Sequence, residues 1–466
     1  MRCLEQRPTR ARGWDSLRLP ALVAGLTLAT GLPVAAQPPT TTLVYPPWSH
    51  CYGLHRVNQT HLTLRAGFRY RFDDPQGLAA LKLDAEDDPK NPRDDDELTV
   101  FGVNSGQHML IYNTSLTSIA FYGRHGDGVG EFERPHGVAA DRAGHVVVAD
   151  TGNRRLHVLQ YAGDKLTHVR FVAGGAAGRP LGEATGVALE GGEIYACAPA
   201  EPRILVFDLE GNLRRELCPT RAGEPLLHEP FAIDVIRADS EHNFFGDDFV
   251  AVTDSAHSRL WRLDPESGQP QAVRRVRDLG RGQAEFYDVA IDYHANVYAS
   301  DRGGRLHKFD RGLVPLLTIG KPGTGDYEFD EPRGIGLYRR FGQMFVAERA
   351  GAQYLWIGTD VFTPSVVAIE REAGGTFAAT LRFFLTEQSR VGFDLVDATG
   401  LPLADIQAPA WTPPGTVERR LRFSAPAGVA RVAVRVTAVP TYSARKVLRV
   451  EKRTPPFGLD AVRELR

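Results

Sequence analysis

The chain has little cysteine, almost no net charge and few long apolar runs. It contains 4 cysteines and 3 methionines in 466 residues. The formal net charge of −2 gives no indication of nucleic acid or of an acidic membrane as a partner. After residue 36 no apolar stretch is long enough to span a bilayer. We therefore expect no membrane span in the mature chain and no nucleic-acid partner.

The amino terminus has the three parts of a secretory signal. Basic residues between Arg7 and Arg18 precede an apolar run, Leu19 to Ala36, which ends in small residues before Gln37. A membrane anchor is the alternative, but prolines and glycines interrupt the run. We predict a signal peptide at residues 1–36 and export to the periplasm, the cell surface or the medium.

We do not expect disulfide bonds to stabilise the mature chain. Cys3 leaves with the signal, so Cys51, Cys197 and Cys218 remain. An odd number leaves at least one thiol free or bonded to another chain. Cys197 falls on a predicted second strand and Cys218 after a fourth, so a third strand separates them, and we predict no disulfide between the two.

A repeat is the strongest signal in the sequence. Arg134–Asp141 reads RPHGVAAD, Gly144–Asp150 reads GHVVVAD, and the next eight residues read TGNRRLHV. This resembles an NHL repeat, whose pattern is P-x-G-V-A-x-D followed by G-x-I-Y-V-A-D-T-x-N-x-R-I-x-V-F. The resemblance implies a β-propeller built from four-stranded blades.

The repeat can be followed by the polar residue at the turn after each second strand. The six turn positions, 46 to 56 residues apart, are Asn104, Asp150, Ala198, Asp254, Asp301 and Glu348. From the second repeat on, a long polar residue opens the third strand: Arg155, Arg203, Arg259, Arg305 and Gln353. We interpret these pairs as structural, because a carboxylate at a tight turn accepts backbone N–H bonds and holds the facing arginine.

These counts predict an all-β chain with a six-bladed propeller at residues 60–360. A propeller must close its ring, and we expect Thr60–Arg65 to supply the outer strand of blade six. Residues 37–59 have no assignment in this scheme. Residues 365–442 show strand alternation at 376–384, 391–396, 418–423 and 429–437. They are similar to immunoglobulin-like β-sandwich modules, and residues 443–466 form a tail that we expect to be poorly ordered.

The residue just before the small residue of each first strand is expected to project at one mouth of the channel. By repeat register the six are Gln76, His136, Thr185, Phe231, Asp288 and Arg333. Two interpretations are open. Asp288 and Arg333 form a structural ion pair that caps the channel, or Arg333 holds an anionic group while His136 or Asp288 accepts a proton or hydrogen bond.

The resemblance allows two classes of function. Most propellers of this family are scaffolds that bind a protein, peptide or glycan, and we favour that class over an enzyme. The alternative is a lyase or hydrolase similar to the peptidyl-amidating lyases, which hold zinc with three channel histidines. Only His136 matches such a position, so we predict no metal ligands, no cofactor and no identifiable catalytic residue. The acidic stretches 84–88 and 94–97 could attract calcium, but they lack the spacing of an EF-hand loop.

Overall fold

The structure is a computed structural model, and it describes residues 40–87, 90, 98–113, 118–175, 180–254, 258–279, 285–442 and 448–459. The predicted signal peptide and the acidic stretch 94–97 lie outside these ranges. No helix among the described residues is long and apolar enough to cross a membrane. The chain is all-β, as predicted, with two short helices near its start, α1 (Trp48–Cys51) and α2 (Gln59–Ala66).

Most of the described chain forms antiparallel sheets whose strands follow one another in sequence. Two short strands precede them, β1 (Leu43–Val44) and β2 (Arg56–Asn58). Sheets one to three consist of β3 (Pro75–Leu81), β4 (Thr99–Asn104), β5 (Met109–Asn113) and β6 (Ile119–Tyr122); β7 (Val138–Ala140), β8 (His145–Asp150), β9 (Arg155–Ala162) and β10 (Lys165–Val172); and β11 (Gly186–Glu190), β12 (Glu193–Cys197), β13 (Ile204–Asp208) and β14 (Leu213–Leu217).

After a two-stranded ribbon, β15 (Thr220–Arg221) and β16 (Glu224–Pro225), three more sheets follow. Sheets four to six consist of β17 (Pro230–Ile236), β18 (Phe249–Asp254), β19 (Arg259–Leu263) and β20 (Pro270–Arg275); β21 (Phe286–Ile291), β22 (Val297–Asp301), β23 (Arg305–Phe309) and β24 (Pro315–Ile319); and β25 (Ile335–Tyr338), β26 (Gln343–Glu348) and β27 (Gly351–Ile357).

The first strands of these sheets surround a central axis. They contact one another in cyclic order, from β3 through β7, β11, β17, β21 and β25 back to β3. The glycines predicted at their starts lie where neighbouring sheets approach most closely. A Cβ on Gly137 would lie 2.5 Å from the carbonyl oxygen of Thr185, and one on Gly334 would lie 2.2 Å from that of Gln76. Only glycine fits such an approach, and the ring of sheets is a β-propeller.

In sheets two and four the turn carboxylates hold the corners as the sequence predicts, whereas in sheet five Asp301 pairs with His307 and not with the side chain of Arg305. In sheet two Asp150 accepts the amide of Glu133 at 2.8 Å and pairs with Arg155 at 2.7 Å. Asp254 pairs with Arg259 at 2.8 Å in sheet four. Because these carboxylates are fully buried, they act in folding and do not face a ligand.

The amino-terminal segment closes sheet six, but not with the residues predicted. Thr60–Arg65 belongs to α2 and not to a strand, because Asn58 caps the helix by accepting the amides of residues 60 and 61. Strand β27 instead pairs with β1 and with β2. These two strands are too short to show alternation, so the repeat pattern does not predict them.

The carboxy-terminal part contains two sheets that share a buried core. One sheet consists of β28 (Val361–Arg371), β29 (Phe377–Leu385) and β32 (Gly415–Phe423), and the other of β30 (Ser389–Asp397), β31 (Pro402–Thr412), β33 (Arg431–Pro440), β34 (Val450–Arg453) and β35 (Phe457–Gly458). Strands β28 and β31 were missed, and the module begins at Val361 and not at residue 365. The predicted tail was also wrong where it is described, because β34 and β35 both pair with β33.

A buried ionic cluster joins this module to sheet five. Lys308 and Glu387 form an ion pair in which neither side chain is exposed. The Lys308 ammonium also donates to the carbonyl of Thr386 at 2.8 Å, and Glu387 lies 3.2 Å from Nδ1 of His294. Burial and the nearby Glu387 charge raise the pKa of Asp292, in the same cluster, to about 6.

Candidate functional site

Sheet five departs from the predicted register by one residue. Phe286 takes the place of Pro75, since each pairs with the turn residue that ends the second strand. Tyr287 therefore matches Gln76, and Asp288 occupies the position that is Gly77 in sheet one. The prediction placed Asp288 at the mouth because sheet five has neither the proline nor the glycine that marks the register elsewhere.

A hydrogen-bonded plug fills the channel at the predicted mouth. We call Gln76, His136, Thr185, Phe231 and Tyr287 the central plug. The Tyr287 hydroxyl donates to Oε1 of Gln76 at 2.7 Å and lies 3.0 Å from Nε2 of His136. The Thr185 hydroxyl donates to the Phe231 carbonyl at 2.7 Å, and the Phe231 ring lies 4.8 Å from the rings of both His136 and Tyr287.

The histidine of the plug is held at both nitrogens of its ring. Its Nδ1 lies 3.2 Å from the Thr185 carbonyl, so both ring nitrogens of His136 have partners. Burial lowers the pKa of His136 to about 4, because an imidazolium loses its hydration there. Four of the six predicted residues are thus brought together, around a tyrosine that was not predicted.

The two charged residues of the prediction do not pair with each other. Arg333 forms ion pairs with Asp74 and, at 3.3 Å, with Glu331. Asp288 instead accepts the backbone amide of Ile335 at 2.7 Å. The predicted cap of Asp288 with Arg333 is therefore wrong, because the register shift moves Asp288 one residue deeper into the channel.

Asp288 is a half-buried carboxyl on the wall of the central cavity. Burial raises the pKa of Asp288 to about 7, and the Asp234 carboxylate adds to the rise while the Ile335 amide opposes it. A carboxyl with this pKa exists in both protonation states near neutral pH.

The central cavity has a volume of about 340 Å³ and is lined by the first strands. Its wall carries aliphatic side chains such as Leu78 and Leu189, and it ends at Glu190 and Arg339. Arg339 donates to Glu190 at 3.0 Å and to Asp234 at 3.1 Å. We call the face of the ring at the central plug the first face, and the face at Glu190 and Arg339 the second face.

A loop of sheet four lies at the second face. This loop, residues 238–248, lies between β17 and β18. In the structure Ser240 donates to Glu190 at 2.8 Å, and Glu241 forms an ion pair with Arg142, which also donates to Asp84 at 2.9 Å. The loop therefore spans from sheet four to residues of sheets one to three. Asp84, which belongs to the acidic stretch 84–88 considered for calcium, is an ion-pair partner of Arg142.

One group of described residues has the side chains to hold a metal ion. His108, His125 and Glu133 have ligand atoms within 4.8 Å of one another, away from the central cavity. Nδ1 of His108 accepts the Arg134 amide at 3.0 Å. The ring proton of neutral His108 is then on Nε2, so a metal could use this histidine only by displacing that amide.

Sequence reasoning missed the deeper residues of the channel. Tyr287, Asp234, Glu190 and Arg339 all lie on first strands or directly after them. Asp234 and Asp288 stand in strands whose other inner positions are small or apolar, and this unusual placement of carboxylates was a signal that could have been used. Arg339 gave no such signal, because its partners come from other sheets.

The chain was compared with known families and structures. The NHL repeat family model matches residues 132–159, which contain His136, Asp150 and Arg155. The comparison with curated proteins found no match.

Three solved structures illustrate the similarity in fold. A streptogramin B lyase has 10% identity and a TM-score of 0.40, with 64% of this chain and 96% of that chain covered. A protein described as a gluconolactonase has 12% identity and a TM-score of 0.44, with 62% and 91% covered. A nidogen–laminin complex has 17% identity and a TM-score of 0.39, with 53% and 80% covered. At these values the similarities do not identify an activity.

Proposed function

We propose that this chain is an exported binding scaffold that takes a protein, peptide or glycan ligand on the first face of a six-bladed propeller. The observation that carries the proposal is the rigid polar centre of that face. Tyr287 is fixed by hydrogen bonds, and the exposed guanidinium of Arg302 lies 4.4 Å from the centroid of its ring. Tyrosine and arginine are enriched among the few residues that carry most of the binding energy at interfaces.

The state of His136 supports binding over metal-assisted catalysis. A histidine that holds zinc must offer a lone pair to the metal, but both nitrogens of His136 are engaged with Thr185 and Tyr287. The other residues at the same level, such as Gln76 and Phe231, are not zinc ligands. The six sheets in cyclic contact support the blade number, and the two-sheet module supports an immunoglobulin-like domain.

A second candidate function is a lyase or hydrolase with its chemistry inside the channel. Asp288 is the observation that favours it, because a carboxyl with a pKa of about 7 can act as a general acid or base near neutral pH. Zinc bound in stoichiometric amount by the purified protein would favour this alternative over the scaffold.

The scaffold proposal can be tested on arrays of defined glycans and peptides. The wild-type protein should bind a subset of them, and the variant Arg302→Ala/Arg333→Ala should lose that binding while it stays folded. Folding should survive because Arg302 is exposed and the ion-pair partners of Arg333 are nearly half exposed. Arg422→Ala is the matched control, since it removes an exposed, paired arginine from the carboxy-terminal module. Equal binding by the double variant and the control would contradict a first-face site.

A further inference from the structure

The wall of the central cavity carries more negative than positive groups. Five carboxylate residues line it against three arginines: Asp141, Glu190, Asp234, Glu241 and Asp288, with Arg142, Arg333 and Arg339. Arg333 is neutralised by Asp74, and Arg142 by Asp84 together with Glu241. Of the three arginines only Arg339 has all its ion-pair partners, Glu190 and Asp234, on the wall itself.

The carboxylates of the wall stand at successive depths. Counted from the glycine position of each first strand, Asp288 is at that position, Asp234 is two residues beyond Ala232, and Glu190 is four residues beyond Gly186. They form a series that runs from the second face to the central plug. Among the described residues these three are not a set that could share one metal ion, so the series suits an extended organic cation better than a bound metal.

The two ends of the cavity are closed in different ways. At the first face the plug residues Gln76, Thr185 and Tyr287 are only 5%, 7% and 7% exposed, and their hydrogen bonds include one from Gln76 to the Asp74 carboxylate at 2.9 Å. At the second face the closing contacts are ion pairs with more exposed side chains, 15%, 21% and 25% for Arg339, Glu190 and Asp234, and 41% and 55% for Arg142 and Glu241. Exposed ion pairs contribute little stability because water screens them, so the second face is the weaker closure.

We propose that the central cavity is a binding site for a small organic cation, a primary amine or a guanidine, that enters from the second face past the loop 238–248. The cation passes Glu190 and Asp234 and pairs with Asp288 beneath the central plug. This site is separate from the ligand surface proposed for the first face and does not depend on it.

The chemistry of Asp288 fits this role. Its carboxyl accepts the Ile335 amide and has no arginine partner among its hydrogen bonds or ion pairs in the described structure. Because burial raises the pKa of Asp288, a cation beside it would stabilise the ionised form and would be bound with release of a proton. The aliphatic part of an alkylamine would contact Leu78 and Leu189 on the wall.

A thiol placed in the cavity can report both the sign of the field and the route of entry. Ala79→Cys puts a sulfur on the wall at the depth of Asp234, in a background with Cys218→Ser. In a chain that lacks residues 1–36 the remaining thiols, Cys51 and Cys197, are buried, and burial raises the pKa of Cys197 to about 12. The probes are 2-aminoethyl methanethiosulfonate, which is cationic, and 2-sulfonatoethyl methanethiosulfonate, which is anionic. Each rate is divided by the rate with free cysteine.

The cationic probe should modify the thiol introduced by Ala79→Cys at least about tenfold faster than the anionic probe. Asp288→Asn should lower that ratio several-fold, because asparagine can still accept the Ile335 amide but carries no charge. Glu241→Gln should speed both probes by weakening the second-face closure, whereas Gln76→Ala, at the plug, should change neither rate. Second-order rate constants measured at low salt, where charges are least screened, give both the ratio and the changes in each rate.

The proposal is overturned by a ratio of one or less, by a ratio unchanged by Asp288→Asn, or by acceleration by Gln76→Ala but not by Glu241→Gln. If the introduced thiol reacts with neither probe even in Glu241→Gln, the cavity is not accessible and the proposal also fails. Leu337→Cys, another half-buried wall residue, replaces Ala79→Cys if that variant does not fold. Because these rates do not involve the first face, their failure is distinct from failure of the array experiment.

Discussion

Replacing Lys308 by methionine should destabilise the chain through the carboxylates that it leaves behind. Lys308 and Glu387 are both fully buried, so Glu387 cannot regain water when its partner is removed. Methionine has a similar volume and fills the space without leaving a cavity. Removing one partner of a buried pair costs about 3–5 kcal/mol, and the Thr386 carbonyl loses a donor at the same time.

The effect should depend on pH with a definite sign. Without Lys308, the pKa of Glu387 rises in the folded state because burial and the neighbouring Asp292 both oppose its charge. Above about pH 4 the folded variant therefore binds a proton at Glu387 that the unfolded chain does not bind. Its stability then increases as the pH falls. The loss relative to wild type should be greatest at pH 8 and smaller at pH 5.5.

Urea unfolding followed by tryptophan fluorescence at these two pH values measures the difference. Lys321→Met is the control, because Lys321 is 72% exposed and its ion pair with Glu328 should be worth no more than about 1 kcal/mol. A loss of less than about 1 kcal/mol for Lys308→Met at pH 8, or a loss that grows as the pH falls, would refute the reasoning.

Three further outcomes are expected. Because burial raises the pKa of Asp288 to about 7 in the folded state, this carboxyl should lower the stability of the wild-type protein by about 3 kcal/mol between pH 5 and pH 8. Asp288→Asn should remove that contribution in unfolding measurements at the same two pH values. Gly351→Ala should loosen strand β2, because the Cβ of the alanine would lie 2.2 Å from the Val57 carbonyl oxygen. Faster proteolysis at residues 52–58 would show this loosening, and unchanged cleavage would argue against this closure of the ring. One thiol of three, Cys218, should react with a thiol reagent in the folded mature chain, and a peptide that links Cys197 to Cys218 in non-reduced mass spectra would contradict the strand order.

The sequence by itself determined the kind of fold, because the propeller repeat is a local pattern. Gly137 and its counterparts mark where neighbouring sheets approach, and Asp150 with Arg155 marks a corner whose bonds join residues close in sequence. Such features recur with each repeat and can be counted without coordinates. The resemblance to an NHL repeat, which the family model matches at residues 132–159, depended on the same local signals.

Only the tertiary structure decided what fills the channel and how the ring closes. Tyr287 meets His136 and Gln76 from three different sheets, and no spacing along the chain encodes such a contact. Arg339 reaches Glu190 from nearly 150 residues away in the same manner. Strand β1 has two residues, too few for alternation to show, and it is a strand only because β27 offers it a partner. Local residues fix the blades, while the contacts between blades fix the site.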